Sequence, residues 1–303
     1  MQGLRVRVVS GIVLLALVLA AIWLRGPLLM VLIVAATALG AHEFYTMARR
    51  AGYRPLYPAG VALAIALALR GYADGGLLTG RPATPVPTGA GWTAEVIALV
   101  LVLVLGAAWA GIGLARGGAS TGDGEAEGRL YLSWAGVGLT LAGAAYTGGL
   151  LGYAPLLAHM GSVEGRADTG AEGASWLLLV LLGTAACDTG AYFAGSAFGR
   201  RKLIPHVSPG KTWEGLAGGA LGGVVAALVL SGLLGISAGQ AVALGLLVCA
   251  AAVAGDLCES LLKRAAGVKD SGGLIPGHGG MLDRLDSVLF VLLAVYWFVQ
   301  AKG

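Results

Sequence analysis

The sequence predicts an all-α polytopic membrane protein with about nine transmembrane helices, and three observations support this fold class. Of its 303 residues, 57% are hydrophobic and only 12% are charged, whereas soluble globular domains carry about 25% charged residues. Mean hydropathy is +0.82, and the apolar residues form runs long enough to cross a bilayer. The 52 glycines are interpreted mainly as packing positions, because small residues let membrane helices approach closely.

The first predicted span is the apolar run Val8–Leu24, which follows Arg5 and Arg7. The run is long and no A-x-A site precedes a polar segment, so we expect a retained transmembrane helix rather than a cleaved signal peptide. A helix needs roughly 20 apolar residues to cross the bilayer core. By this criterion, further spans are predicted over 27–48, 57–72, 93–115, 130–158, 176–198, 213–235, 238–263 and 282–300. The fifth span is long enough to tilt or to break around Gly148-Gly149.

The distribution of basic residues predicts the orientation of the chain in the membrane. When the connections between the nine spans are assigned alternately to the two sides, 15 of the 20 Lys and Arg residues fall on the side of the N-terminus. The positive-inside rule then places the N-terminus in the cytoplasm and the C-terminus outside. A miscounted helix would scramble this asymmetry, so nine spans are favoured over eight or ten.

The N-terminal region, residues 1–175, is predicted to be a transmembrane scaffold of about five helices. Its connections at 73–92 and 117–128 are rich in Pro, Gly or small polar residues, which is typical of flexible loops. His42-Glu43 is the exception, since an ionisable residue inside a span is a functional candidate by default. The pair lies near the cytoplasmic end of its helix, just before Arg49-Arg50, so a structural pairing is the favoured interpretation.

The three cysteines, Cys187, Cys249 and Cys258, all lie in apolar stretches. They form no CxxC or Cys/His cluster, so neither a disulfide framework nor a zinc site is predicted, and structural roles are favoured. The sequence also contains no nucleic-acid-binding motif. Its formal charge of +4 is typical of basic cytoplasmic loops in membrane proteins.

The C-terminal region, residues 176–303, is predicted to be catalytic, with about four helices and cytoplasmic loops at 199–212 and 264–281. Asp188 interrupts an apolar helix in this region. An unpaired carboxylate in lipid costs several kcal/mol, so we expect Asp188 to face a polar cavity, a cation or a basic partner. A structural salt bridge between helices is the alternative.

The first of these loops ends in the sequence Ser208-Pro-Gly-Lys-Thr, directly before an apolar helix. It is not a P-loop, because Pro205 stands where that motif requires glycine and no buried strand precedes it. Backbone donors at the helix N-terminus, together with Ser208, Lys211 and Thr212, could still bind a phosphate group. An ordinary basic cytoplasmic loop is the alternative interpretation.

Acidic residues gather in the same region. Helical spacing places Asp256 and Glu259 on one face of a helix, and it places Asp283 and Asp286 on one face of the next. Seven acids are expected in the cytoplasmic half of the membrane or its loops: Asp188, Glu214, Asp256, Glu259, Asp270, Asp283 and Asp286. Carboxylates beside phosphate-binding lysines indicate Mg²⁺ chemistry, although paired acids could equally form the ion-coupling site of a transporter.

The run from Ser260 to Asp286 contains Lys263-Arg264, Lys269-Asp270, His278-Gly-Gly and Asp283-Arg-Leu-Asp. This run closely resembles the signature of the phosphatidate cytidylyltransferases, the CDP-diacylglycerol synthases. Asp188 and the segment Ser208–Glu214 also resemble upstream motifs of that family. The resemblance is specific over about residues 185–290, and before that it rests on hydropathy alone.

The resemblance implies that the protein transfers the cytidylyl group of CTP to phosphatidic acid, giving CDP-diacylglycerol and pyrophosphate for phospholipid biosynthesis. It also implies Mg²⁺, alone or with a second cation, held by Asp256, Asp283 and Asp286. The other catalytic residues that it implies are Lys263, Arg264, Lys269, His278 and Arg284. The substrate-binding residues that it implies are Ser208, Lys211, Thr212, Asp188, Asp270, Gly279 and Gly280. The expected enzyme is a homodimer in the cytoplasmic (inner) membrane of a bacterial-type cell, with its active site facing the cytoplasm.

Other functions remain open from the residues alone. A CTP-dependent kinase of a polyprenol or another lipid alcohol would use the same phosphate- and metal-binding groups. An ion-coupled transporter would use Asp188 and Asp256, but such transporters have inverted repeats, and the polar residues here lie almost entirely in one half. A CDP-alcohol phosphotransferase requires an Asp-Gly-x-x-Ala-Arg run, which is absent from the sequence.

Overall fold

The computed structural model describes residues 2–24, 26–74, 135–158, 160, 171–273 and 279–302, and this part of the chain is mostly helical. The N-terminal region begins with three helices that agree with predicted spans: α1 (Gln2–Leu24), α2 (Gly26–Arg50) and α3 (Tyr57–Asp74). The span predicted at 93–115, the linker at 117–128 and most of the connection at 73–92 lie outside the described residues.

A fourth helical segment, α4, covers the described part of the fifth predicted span, over 135–158. It contains a π-helical segment, Ala145–Gly149, and a short final helix, Tyr153–Ala158. This irregularity falls where the sequence predicts a tilt or a break. Gly148 packs directly on the backbone of α3, since a Cβ atom at this position would overlap the carbonyl group of Ala64. A larger residue would therefore push the two helices apart.

The described residues of the C-terminal region include four long helices: α5 (Ala171–Phe198), α6 (Trp213–Leu234), α7 (Ala238–Ala265) and α8 (Leu282–Lys302). Glycines bring α5 and α6 into backbone contact. A Cβ atom on Gly218 would overlap the carbonyl oxygen of Gly190, and one on Gly222 would overlap that of Ala186. At these positions the interpretation of glycine as a packing residue is confirmed.

A two-stranded antiparallel hairpin precedes α6, where the sequence predicts only a loop in an all-α protein. Strand β1 (Lys202–Ile204) pairs with strand β2 (Ser208–Thr212). The Glu214 carboxylate on the first turn of α6 accepts hydrogen bonds from the backbone N–H groups of Arg200 at 3.1 Å and Arg201 at 3.3 Å. These bonds fix the base of the hairpin to the helix, so the expectation of an all-α chain is corrected at this segment.

Four helices of the described region are long and apolar enough to cross a membrane: Gly26–Arg50, Gly173–Phe198, Trp213–Leu234 and Ala238–Ala265. Three of them belong to the C-terminal region. These helices support the predicted class of helical membrane protein.

Candidate active site

The hairpin and α7 meet through an ion pair between Lys211 and Asp256. The Lys211 Nζ atom lies 2.7 Å from Asp256 Oδ2, and both side chains remain partly exposed, at 22% and 33%. The other carboxylate oxygen, Asp256 Oδ1, accepts a hydrogen bond from the Ser260 hydroxyl at 3.2 Å. Two segments that the sequence predicts on the same side of the membrane are therefore in direct contact.

Two further carboxylates lie close to this ion pair. Asp188, on the exposed surface of α5, is within electrostatic range of both Asp256 and Lys211. Asp286, on the first turns of α8, is within electrostatic range of Asp256 and Asp188. Three helices thus contribute one aspartate each to an acidic cluster, defined as Asp188, Asp256 and Asp286, and Lys211 forms an ion pair with Asp256.

Gly255 explains how α7 and α8 bring their aspartates together. A Cβ atom on Gly255 would overlap the backbone carbonyl oxygen of Asp286, and it would lie 3.1 Å from the Cα atom of Ser287. Only glycine leaves room for this contact between the helix backbones. The close approach puts Asp256, the next residue in α7, beside the start of α8.

A second group of charges lies deeper, around Lys263. The Lys263 Nζ atom is 2.8 Å from Asp283 Oδ1 and 2.5 Å from Glu259 Oε2. The Glu259 side chain is fully buried, and its contact with Lys263 is an ion pair without hydrogen-bond geometry, so neither Glu259 oxygen has a hydrogen-bond partner within the described ranges. The Lys263 ammonium group therefore lies between two carboxyl groups, those of Glu259 and Asp283.

Asp283 organises the loop that precedes α8. Its Oδ2 atom accepts hydrogen bonds from the Ser271 N–H group at 3.0 Å, the Ser271 hydroxyl at 3.1 Å and the Gly280 N–H group at 2.9 Å. Its other oxygen binds Lys263, and its side chain is only 12% exposed. Of the three predicted metal ligands, Asp256 and Asp286 belong to the acidic cluster, whereas Asp283 belongs to this buried group.

The side chains of the described residues do not assemble three or more His, Cys, Asp or Glu residues in a geometry ready to hold a metal ion. The donor chemistry of the acidic cluster nevertheless fits a hard divalent cation, which prefers oxygen ligands. Three carboxylates within electrostatic range of one another also repel, and a bound cation would relieve that repulsion.

The remaining predicted site residues have different surroundings. Lys269, Asp270 and Arg284 are exposed near the loop. Arg264 is exposed as well, and its Nε atom donates to the carbonyl oxygen of Val207 in the hairpin at 3.4 Å. His278 lies outside the described residues.

The hairpin residues predicted to bind phosphate also have structural contacts. Ser208 stands opposite Ile204 in the strand pairing. Thr212 is buried, and its Oγ1 atom accepts a hydrogen bond from the Gly215 N–H group at 3.0 Å, which caps α6. The cap fixes the position of the adjacent Lys211 relative to the helix N-terminus.

The glycines that follow His278 serve the local backbone. Gly279 has a φ angle of +82°, a conformation that glycine adopts far more easily than other residues. Gly280 packs tightly, since a Cβ atom there would overlap the Ser271 hydroxyl and lie 2.5 Å from Glu43 Oε2. Both residues thus shape the turn whose N–H group binds Asp283.

Sequence reasoning missed the contact between α2 and this loop. Glu43 accepts hydrogen bonds from the backbone N–H groups of Met281 and Leu282 and from the Ser271 hydroxyl, each at 2.9 Å. A carboxylate inside an apolar span is the only signal in the sequence, and it does not identify the partners. The neighbouring His42 instead bonds the Tyr57 hydroxyl, and Arg49 lies 4.7 Å above the Tyr57 ring.

An apolar groove of about 910 Å³ runs between α5 and α6. Its lining includes Leu182, Phe193, Leu221 and Val225, and it reaches Thr189, the residue after Asp188. An apolar groove adjoining a charged cluster can accommodate an amphipathic molecule, with its chain in the groove and its polar end at the charges.

The fold and this site define a helical membrane protein in which aspartates from three helices lie beside one lysine of the hairpin and one lysine of α7. The chain belongs to the cytidylyltransferase family, whose sequence model matches residues 5–301. The family resemblance found in the C-terminal motifs is thereby confirmed, and it extends over nearly the whole chain.

Individual relatives match a shorter part of the chain. The phosphatidate cytidylyltransferase of Haemophilus influenzae is 49% identical over 120 residues, which cover 37% of this chain and 41% of the relative. That of Helicobacter pylori is 48% identical over 134 residues, 43% of this chain and 47% of the relative. The uncharacterized protein YnbB of Escherichia coli is 44% identical over 134 residues, 44% of this chain and 45% of the relative. Each match therefore spans less than half the length of the curated relative.

Proposed function

We propose that this protein transfers the cytidylyl group of CTP to phosphatidic acid, giving CDP-diacylglycerol and pyrophosphate for phospholipid biosynthesis. Membership of the cytidylyltransferase family supports the use of CTP. The names of relatives such as the Haemophilus influenzae protein support phosphatidate as acceptor. The observation that carries the proposal is the Lys211–Asp256 contact at 2.7 Å, because it joins a cationic hairpin to a carboxylate cluster within one site.

The chemistry requires little from a general base. The phosphate monoester of phosphatidate is already nucleophilic near neutral pH, so its oxygen attacks the α-phosphorus of CTP directly. A new bond forms between that oxygen and the α-phosphorus, the bond from the α-phosphorus to the bridging oxygen breaks, and pyrophosphate leaves with both electrons. The protein must therefore supply in-line positioning and neutralise negative charge on the phosphates.

Basic side chains on two sides of the site supply that neutralisation. On the hairpin side, Lys211 binds a phosphate group with help from Ser208 and the cap residue Thr212. The residues proposed on the opposite side are Lys263, Arg264, Lys269, His278 and Arg284, with Asp270, Gly279 and Gly280 shaping the loop between them. Lys211 and Lys263 each have a carboxylate partner, which holds the ammonium group in place.

Mg²⁺, with or without a second cation, is proposed to be held by Asp256, Asp283 and Asp286, beside Asp188. When bound, it would act as a Lewis acid that stabilises negative charge on phosphate oxygens. The three carboxylates of the acidic cluster favour a cation there. Asp283 also holds Lys263, Ser271 and Gly280 in place.

The proposal includes a topology and an assembly. The protein would have about nine transmembrane helices, a cytoplasmic N-terminus and an external C-terminus. The proposal divides the chain into a scaffold over 1–175 and a catalytic region over 176–303. The enzyme would be a homodimer in the cytoplasmic membrane with its active site on the cytoplasmic face, where CTP is available. The α5–α6 groove supports a position for an acyl chain of the lipid near Asp188.

Product analysis tests the proposed reaction. Purified protein in detergent is incubated with Mg²⁺, CTP and phosphatidic acid, and the products are identified by mass spectrometry, with reactions lacking the lipid as controls. The proposal requires CDP-diacylglycerol and pyrophosphate in equal amounts. In a parallel reaction with a polyprenol in place of phosphatidic acid, formation of CDP and a phosphorylated polyprenol would instead support the kinase. No lipid-dependent consumption of CTP in either reaction would contradict both functions.

A further inference from the structure

Glu43 is a buried carboxylate that lies far from the catalytic motifs in sequence but touches them in space. Its side chain is 2% exposed, although it belongs to α2 in the N-terminal scaffold. Its three hydrogen-bond donors, Ser271, Met281 and Leu282, all lie in or beside the loop before α8. A charge buried in an apolar helix is stable only when such partners are present.

The two backbone donors identify what Glu43 does for α8. The Met281 N–H group binds Oε1 and the Leu282 N–H group binds Oε2, both at 2.9 Å, and α8 begins at Leu282. The first N–H groups of a helix have no partner within that helix, and a negative charge at this end also interacts favourably with the helix dipole. Glu43 therefore caps α8 from another helix.

The third donor connects Glu43 to Asp283. The Ser271 hydroxyl lies 2.9 Å from Glu43 Oε2 and 3.1 Å from Asp283 Oδ2. Gly272 and Gly280 both pack on the Glu43 carboxylate so closely that a Cβ atom on either would lie 2.5 Å from one of its oxygens. Ser271, Gly272 and Gly280 thus pack around this carboxylate, and Asp283 directly follows the capped N–H group of Leu282.

We propose that Glu43 is a positioning residue for the active site: it caps α8 and holds Ser271 and Gly280 in place, so that Asp283 holds Lys263. This inference rests on the proposed function for its effect on turnover, but its structural part stands on hydrogen bonds alone. Glu43 touches no proposed reacting group, so it acts through Asp283. It also links the scaffold to the catalytic region, since α2 supplies the cap of a catalytic helix.

The substitution Glu43→Gln separates positioning from packing. Glutamine has nearly the same shape, but it offers one oxygen and an NH₂ group, which would face a backbone N–H donor where Glu43 presents a second acceptor. A substitution far from the reacting atoms that displaces a catalytic group by about 1 Å can lower kcat about 100-fold. We expect that loss at saturating CTP and phosphatidate, with KM for CTP changed far less.

Hydrogen exchange gives a readout independent of activity. In the Glu43→Gln protein, amide exchange at Met281 and Leu282 is expected to be about tenfold faster than in the wild type, the effect of losing one backbone hydrogen bond. His42→Gln is the matched control, because His42 lies beside Glu43 on α2 but bonds Tyr57 instead. The control should leave both kcat and exchange at these two amides unchanged.

Ser271→Ala keeps the proposal testable if Glu43→Gln does not fold. It removes the shared hydroxyl and leaves both backbone bonds to Glu43, so kcat is expected to fall about three- to tenfold. Wild-type kcat in both variants, or wild-type exchange at Met281 and Leu282 in Glu43→Gln, would overturn the proposal. If the wild type itself forms no product, the proposed function fails, and the exchange comparison still decides whether Glu43 caps α8.

Discussion

Lys211 on the hairpin and Asp256 on α7 form an ion pair at 2.7 Å, which joins two segments that are 45 positions apart in the chain numbering. This contact holds the hairpin that precedes α6 against α7. Because both side chains stay partly exposed, the pair is accessible to a phosphate that could replace the carboxylate as partner of Lys211.

Replacing Lys211 with methionine is expected to lower kcat/KM for CTP about 10- to 100-fold, the effect of removing one charge-assisted hydrogen bond. Lys202→Met is the matched control, because Lys202 is an exposed lysine on the paired strand. Initial rates of pyrophosphate release for the two variants give the comparison. Equal rates in both would remove Lys211 from the phosphate-binding site.

Asp283→Asn is expected to reduce turnover to background while the protein remains monodisperse in detergent. Asparagine presents an NH₂ group in place of one carboxylate oxygen of Asp283. It therefore loses either the contact with the Lys263 ammonium group or the hydrogen bonds that Asp283 accepts from the loop. In both cases Lys263 loses its position. Turnover is measured together with size-exclusion profiles. Retained activity in the folded variant would exclude Asp283 from the site.

A double-mutant cycle tests the pairing of Asp283 with Lys263 itself. Asp283→Asn and Lys263→Met are combined, and the free energy of unfolding is measured for each variant in detergent. Contacting residues in one network couple by about 0.5–3 kcal/mol, so the double variant should be less destabilised than the two single effects predict. Additive effects would mean that the 2.8 Å contact contributes no stability.

Gly255→Ala is expected to destabilise the protein by about 1–3 kcal/mol, as overpacking does in a close-packed interior. The added methyl group would overlap the Asp286 carbonyl oxygen and separate Asp256 from Asp286. Gly232→Ala on α6 is the matched control, since a Cβ atom there meets nothing within 4 Å. Tm and activity are measured for both, and an equally stable and active Gly255→Ala protein would show that α7 and α8 do not meet here.

Cys187→Ala and Cys258→Ala are expected to keep most of the activity, because all three thiols are free and the proposed transfer step uses none of them. Cys187 is buried and packs beside Gly223, so its replacement should lower Tm more than kcat. Initial rates and Tm are measured for each variant. Complete inactivation of either variant with an unchanged Tm would give that thiol a chemical role.

Local patterns predicted the helices well because each long apolar run is sufficient to specify a membrane-length helix. The predicted span 213–235 is observed as Trp213–Leu234, and 238–263 as Ala238–Ala265. The hairpin was not predicted, since Ser208-Pro-Gly-Lys-Thr has no alternating pattern. Its position depends on backbone bonds to Glu214.

The candidate site was predicted in composition but not in arrangement. Acid and lysine motifs indicated the residues, and the charge asymmetry put them on one side. The division of the three predicted metal ligands, with Asp283 bound to Lys263 and Ser271, depends on how the loop folds. Glu43 could not be assigned a partner, because its donors lie 228 to 239 positions away along the chain.

CTP labelled at its α-phosphate shows whether the hairpin and the acidic cluster form one nucleotidyl-transfer site. Wild-type protein is incubated with labelled CTP and phosphatidic acid, with Mg²⁺ or with EDTA, and the lipid phase is extracted and counted. The account predicts that label enters the lipid only with Mg²⁺ present and that Lys211→Met strongly reduces it. Label that stays in the aqueous phase while CTP is consumed would contradict the account.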